Sequence, residues 1–476
     1  MPTAAEMAGS DRVTPDASAA SWYRRPWART WGLGAFVFLV HTFSPTPQSA
    51  DSRLSTITAW QFFHHFNLHL DGYRVVAELT YRRDLVSVGG HLVPFYPWPT
   101  MLLAAPADFL SALFGRSPAS LSISDPSQVW LVEVPTASLI VAVTTVLLRK
   151  VVLGSDRPWA TPKVALTVAL VFAFASSAWS IASRALWQQT ASMLFLVCAL
   201  LAVQRLHRSW KYGAALGLFL GLAAISRPTD VVVVVLIGGW LLVTRRNRVV
   251  PAAAALLVVA AVFVAFSYTQ YRAVLPPYYL ASNLSGTVEY GFWESIGVNL
   301  ISPSRGMVFF DPVLLFAGAG LWWMWRRRAL TGFDVVLGLS FVGQLLVVSK
   351  YGSSGGSTYG PRLMIDVLPF LMVLSAPVLG LLFRPRTPGT PEPAHRGRVV
   401  PVLIVLVLAW SLFVNATGGL LRSAYCWSAT PTPLSASPHR VWDWSDPQFF
   451  RPYRDLANGM SLHQVALGSC RTTQAS

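Results

Sequence analysis

The sequence predicts an all-α integral membrane protein: a bundle of about eleven transmembrane helices, with interfacial helices in its first extracytoplasmic loop. Composition is the first reason. Over 476 residues the chain is 53% hydrophobic and only 12% charged, half the roughly 25% of a soluble domain. The second is that apolar runs recur along the whole length, separated by short polar segments. The third is where the charge sits. The net +16 lies in short Arg-rich clusters between apolar runs rather than on one stripe. That is the positive-inside pattern of cytoplasmic loops, and it argues against a nucleic-acid surface.

Residues 1–29 are polar, rich in small side chains and end in Arg24, Arg25 and Arg29, the composition of a disordered cytoplasmic tail. The run 31–43 is short enough to pass for a signal-peptide core. Its long acid-containing leader and poor cleavage context at Gln48-Ser49-Ala50 favour an uncleaved first helix. Residues 45–128 then form the first extracytoplasmic loop. A second apolar run inside it, 101–114, holds Pro106 and Asp108 and falls short of the ~20 residues a span requires. It reads as an amphipathic or re-entrant interfacial helix.

With that choice the later spans alternate. They fall at 129–148, 163–182, 189–204, 213–226, 230–244, 250–270, 306–325, 331–349, 362–383 and 399–418. The clusters Arg149-Lys150, Arg205/Arg208/Lys211, Arg245/Arg246/Arg248, Arg326-Arg327-Arg328 and Arg384/Arg386/Arg396/Arg398 then all lie inside. If 101–114 spanned, most would lie outside. The N-terminus is therefore expected inside, the membrane domain over 30–420, and residues 421–476 as an extracytoplasmic tail. Cys426 and Cys470 share that tail, where an oxidising compartment permits a disulfide and two free thiols are the alternative. Cys198 falls within a span as a core residue.

The chemistry concentrates just after the first helix, where residues 51–71 hold Asp51, Arg53, His64, His65, His69 and Asp71. Ionisable groups beside a bilayer are costly unless they sit at a wet surface and are used. Asp51 can take a proton from an incoming hydroxyl, or cap the short helix beginning near Ser52; the two readings weigh evenly. Asp71 precedes Gly72, a strong turn signal. The adjacent His64 and His65 point about 100° apart on a helix, which suits packing better than one metal site.

Arg184, Arg227, Arg305, Lys350 and Arg362 stand at outer span ends, against the positive-inside trend. Local pairing is one reason: Arg227 is three residues from Asp230, and Arg362 four from Asp366. Holding a phosphate at the outer surface is the other. For Arg305, in Ser302-Pro303-Ser304-Arg305-Gly306, the free N–H groups of the following helix would add to the second. The loop after Lys350 and Tyr351, Gly352-Ser353-Ser354-Gly355-Gly356, could approach a ligand closely.

These features together resemble the C-type (GT-C) membrane glycosyltransferases, in the bacterial branch related to the protein mannosyltransferases. The resemblance is carried by the loop acid Asp51, the Tyr96-Pro97-Trp98-Pro99 stretch leading an interfacial helix, and about eleven spans. The 302–306 stretch and Tyr359-Gly360-Pro361-Arg362-Leu363-Met364-Ile365-Asp366 are similar to stretches in members of that branch. The resemblance covers about 30–420.

It implies a polyprenyl-phosphate-linked sugar donor, an extracytoplasmic hydroxyl acceptor on a glycan, lipid or protein, and inversion at the anomeric carbon. Asp51 inherits the role of base. Arg305, Lys350 and Arg362 are the candidates for the donor phosphate. Arg53, His65, Asp71, Tyr96, Arg184, Arg227, Tyr351, Tyr359 and Asp366 are candidates to line the site. Asp51-Ser52-Arg53 stands where many members carry an acidic pair, which leaves a divalent metal open. A transporter or flippase of a lipid-linked glycan is the competing class, and a non-catalytic envelope-assembly subunit the third.

Overall fold

The computed structural model describes residues 26–48, 51–78, 84–120, 129–280, 289–353, 355–383 and 396–470. The expected N-terminal tail up to residue 25 lies outside them, as do 121–128 of the first loop and the basic segment 384–395. Each expected apolar run is helical. The helices are Pro26–Thr42, Val134–Leu153, Pro162–Phe174, Gln188–Gln204, Trp210–Ser226, Val231–Thr244, Val249–Tyr271, Val313–Arg326, Gly332–Lys350, Leu368–Leu379 and Arg396–Leu420.

Five continuous helical stretches are long and apolar enough to cross a bilayer: Trp130–Leu153, Arg246–Tyr271, Gly332–Lys350, Arg362–Phe383 and Val399–Leu420. The chain is an integral membrane protein. Burial separates a central helix from a peripheral one: 78% of the apolar window of Arg362–Phe383 is inside the fold, against 11% for Arg246–Tyr271. The peripheral helix shows Leu257, Val258 and Val262 on its surface, which costs nothing where the solvent is hydrocarbon. Helices meet closely where a side chain is missing. A Cβ on Gly217 would lie 1.9 Å from the Ala252 carbonyl oxygen, and one on Gly320 2.0 Å from that of Leu374.

Two expected spans are interrupted. The helix Pro162–Phe174 ends before Ser176 and Ser177, and its continuation is a single π-turn, Ala178–Ala182. The run 306–325 splits into Met307–Phe310 and Val313–Arg326 because Pro312 lacks an N–H and pushes Asp311 out of helical geometry. The breaks face each other: the Ser177 amide donates to the buried Asp311 carboxylate at 2.6 Å, and its hydroxyl donates to the other oxygen. Groups freed by the breaks are thereby satisfied inside the bundle.

The first loop is built on the helix Ser55–His65 and the run Trp98–Met101, Leu102–Ala104 and Ala105–Leu113. Phe63, Phe109, Leu110 and Leu113 are exposed along it, the apolar face an interfacial helix requires. The all-α expectation missed one hairpin, Leu85–Val88 with His91–Pro94, whose turn is Gly89-Gly90 with both φ positive. The tail closes on itself through a Cys426–Cys470 disulfide; Cys198 is free.

Candidate functional site

Asp51 sits in the turn before the helix Ser55–His65. That helix has Leu54 at its N-cap and no side-chain cap, so Asp51 does not cap it. Its carboxylate instead accepts from Arg362 Nη1 at 2.8 Å, across 311 residues of sequence. Both side chains are partly open, 24% for Asp51 and 10% for Arg362. The guanidinium lies over the Trp187 ring, 4.6 Å from its centroid, an arrangement that holds a cation flat while leaving its edges to ligands.

On the Asp51 side of this pair lies a narrow crevice of about 10 Å³ lined by Asp51, Ser55, Tyr96, Thr100, Trp187 and Gln188. The Ser55 and Thr100 hydroxyls and Arg362 Nε are buried and have no hydrogen-bond partner. Groups of this kind are uncommon in native interiors and call for an explanation. Tyr96 packs at 5.5 Å from the Tyr278 ring; burial first, then the charges of Asp51 and Asp84, pushes its hydroxyl pKa up. Asp84 is raised by burial, opposed by Arg53 and helped by Asp51; Arg53 lies 3.9 Å away from it.

The turn that carries Arg362 is anchored from below. Arg362–Val367 is a 3-10 helix, with three residues per turn, so Arg362 and Asp366 do not stack and the expected local pair does not form. Asp366 is fully buried and accepts instead from Arg227 and, at 2.8 Å, from Gln344. Arg227 also donates to the Leu363 carbonyl at 2.6 Å. The expected Arg227–Asp230 pair is likewise replaced, with Asp230 accepting from Ser192.

Other predicted site residues have structural roles. Arg305 is 1% exposed. It donates to Gln448, to the Gly356 carbonyl and to Ser428, both of the latter at 3.1 Å. It ties the tail to the loop before Arg362 rather than facing the cavity. Arg184 is fully buried and donates to the carbonyls of Ser44 and His41. The Tyr359 hydroxyl donates to the Val414 carbonyl at 2.7 Å. Asp71 accepts from the Leu92 amide at 2.7 Å and from His91 at 3.0 Å, as a turn residue pinning the hairpin. His65 is exposed, and His64 packs on Trp60, ring centroids 3.9 Å apart. Lys350 is exposed at its helix end, beside the half-buried Tyr351, without an ion pair among the described residues.

Sequence reading missed Trp187, Asp84 and two groups from the tail. Arg422 Nε is buried without a partner, and Tyr425 is within electrostatic reach of Arg422, Arg53 and Arg362. Arg422 follows the helix Arg396–Leu420. For a metal the donor set does not fit: Asp51 and Asp84 each face a guanidinium. Among the described residues no three His, Cys, Asp or Glu side chains gather to hold one.

The fold and site define a predominantly helical membrane protein with a small crevice between its first loop and the segment Leu186–Gln188, beside the Asp51–Arg362 ion pair. No described family matches this chain and no curated protein does. Among solved structures it is similar to ArnT from Cupriavidus metallidurans bound to undecaprenyl phosphate, at 14% identity over 93% of this chain and 81% of that one, with a TM-score of 0.48. It is also similar to the oligosaccharyltransferase AglB from Archaeoglobus fulgidus in complex with an inhibitory peptide and a dolichol-phosphate. There the identity is 14%, over 90% of this chain and 60% of that one, with a TM-score of 0.47. Likenesses this loose transfer no function to the chain.

Proposed function

We propose that the chain is a GT-C-type glycosyltransferase that moves a sugar from a polyprenyl-phosphate donor to an extracytoplasmic hydroxyl on an envelope glycan, lipid or protein. It does so with inversion, on a bundle of about eleven spans with the N-terminus inside and the tail outside. One observation carries the reading: the Asp51 carboxylate lies on the Arg362 guanidinium at 2.8 Å, beside buried polar atoms that lack partners.

An acceptor hydroxyl entering the cavity donates to Asp51, which takes its proton as the oxygen attacks the anomeric carbon. The bond from that carbon to the phosphate oxygen breaks, and its electron pair goes to the phosphate. Arg362, freed from Asp51 as the carboxylate is protonated, holds the added negative charge. A single in-line displacement inverts the anomeric centre. Arg227 and Asp366 do not touch substrate; they fix the turn on which Arg362 stands. Lys350 and Tyr351 belong to the rim.

The test gives the full chain, in lipid nanodiscs, polyprenyl phosphates carrying radiolabelled mannose or glucose, with envelope membranes as acceptor. Product of inverted anomeric configuration supports the reading. Retained configuration, or transfer that persists with Arg362→Ala, overturns it.

A further inference from the structure

A pair of buried carboxyl groups stands behind the site and belongs to no step above. Glu133, at the start of the helix Val134–Leu153, and Asp108, in the helix Ala105–Leu113, are both fully buried. Both Asp108 oxygens lack a hydrogen-bond partner. Burial, and then the neighbouring Glu133, pushes the Asp108 carboxyl up to about 9. Two carboxyls so placed do not both ionise. Their surroundings are apolar, with Ala59, Ala104, Ala105 and Val132 in one cluster, and Tyr73 is within electrostatic reach of Asp108.

Glu133 reaches the site through one residue. It accepts a hydrogen bond from the hydroxyl of Ser52, the direct neighbour of Asp51. The Ser52 carbonyl accepts from the Ser55 amide at 2.8 Å, so Ser52 is held at both its hydroxyl and its backbone. A hydrogen bond to a buried carboxyl oxygen is costly to leave unmade. It is spent here on a serine 2% exposed, one peptide from a carboxylate that must meet a guanidinium from the far end of the chain.

We propose that Glu133 is a positioning residue that, through the Ser52 hydroxyl, holds Asp51 on Arg362 and so makes Asp51 compete with an incoming phosphate for that guanidinium. The inference rests on the reading of Arg362 as the phosphate contact. Loosening the tether frees Arg362 for an anion, so affinity for a phosphate rises. A merely destabilised protein would bind less.

The experiment measures undecaprenyl phosphate binding to the full chain in nanodiscs. Asp51→Asn is expected to raise affinity about three- to tenfold, since each 1.4 kcal/mol is tenfold. Ser52→Ala and Glu133→Ala raise it by part of that, while Glu133→Gln, whose amide oxygen still accepts from Ser52, stays near the parent. Ser52→Ala added to Asp51→Asn adds nothing. Ser52→Ala, which removes a single hydroxyl and folds most readily, decides the matter alone: parental affinity, or an effect additive with Asp51→Asn, overturns the proposal. Should Arg362→Ala leave affinity unchanged, the phosphate reading itself fails, which is a separate outcome.

Discussion

Replacing Asp366 by Ala removes the carboxylate that answers Arg227. Arg227 is 3% exposed and Asp366 not at all, so the variant takes from a buried guanidinium the carboxylate it is bonded to and leaves Asp230 as the nearby acid. Breaking a buried pair from one side costs about 3–5 kcal/mol. The Leu363 carbonyl, which still accepts from Arg227, and Asp230, within electrostatic reach of it, recover part of this. A net loss of about 2–4 kcal/mol follows. Because Asp366 closes the turn that starts at Arg362, phosphate affinity should fall along with stability. The assay is thermal unfolding in detergent, paired with undecaprenyl phosphate binding. The double variant Arg227→Met with Asp366→Leu, which puts apolar groups at both positions, should recover most of the unfolding midpoint. An unchanged midpoint in Asp366→Ala, or a double variant worse than the single, would refute the reasoning.

Arg362→Ala should lower the unfolding midpoint less than Asp366→Ala does, because the Asp51 it leaves behind is 24% exposed, and weaken undecaprenyl phosphate binding about tenfold or more, as loss of a charged hydrogen bond does. For Asp108 the folded-state pKa, about 9, lies above the ordinary carboxylate value. The folded protein therefore binds more protons than the unfolded one between roughly pH 4 and 9, and stability falls as pH rises through that window. Unfolding midpoints across pH should show this slope, and Asp108→Asn should flatten it. Reducing the disulfide, which closes 44 residues of sequence, removes on the order of 3–4 kcal/mol of tail stability; limited proteolysis should then cut residues 427–470 first.

The helical layout was legible because hydrophobic runs and Arg clusters both report on the bilayer. The interruptions at Ser177 and Asp311 were not, since a broken span has the same mean hydropathy as an intact one. Only Asp311-Pro312 gave a local sign. The hairpin's one local sign is its Gly89-Gly90 turn, a short signal inside a chain otherwise dominated by helical runs. At the candidate site, the sequence singled out Arg227 and Arg362 and paired them locally, where the structure gives other partners. Arg362 and Asp366 looked like an i,i+4 pair, but a 3-10 turn sends one to Asp51 and the other to Arg227. Arg305, a candidate phosphate contact by sequence, is bonded to Gln448 and Ser428 of the tail. What a buried arginine is bonded to depends on segments over a hundred residues away, and no local pattern records that. The bond from Ser52 to Glu133 crosses 81 residues and leaves no local pattern either.

Transfer of radiolabelled sugar from a polyprenyl-phosphate donor, measured with Asp51→Asn in nanodiscs at parental amounts of folded protein, bears most directly on the mechanism. The carboxylate as general base predicts a fall of about a hundredfold or more, with undecaprenyl phosphate still bound. Undiminished transfer by Asp51→Asn would contradict it.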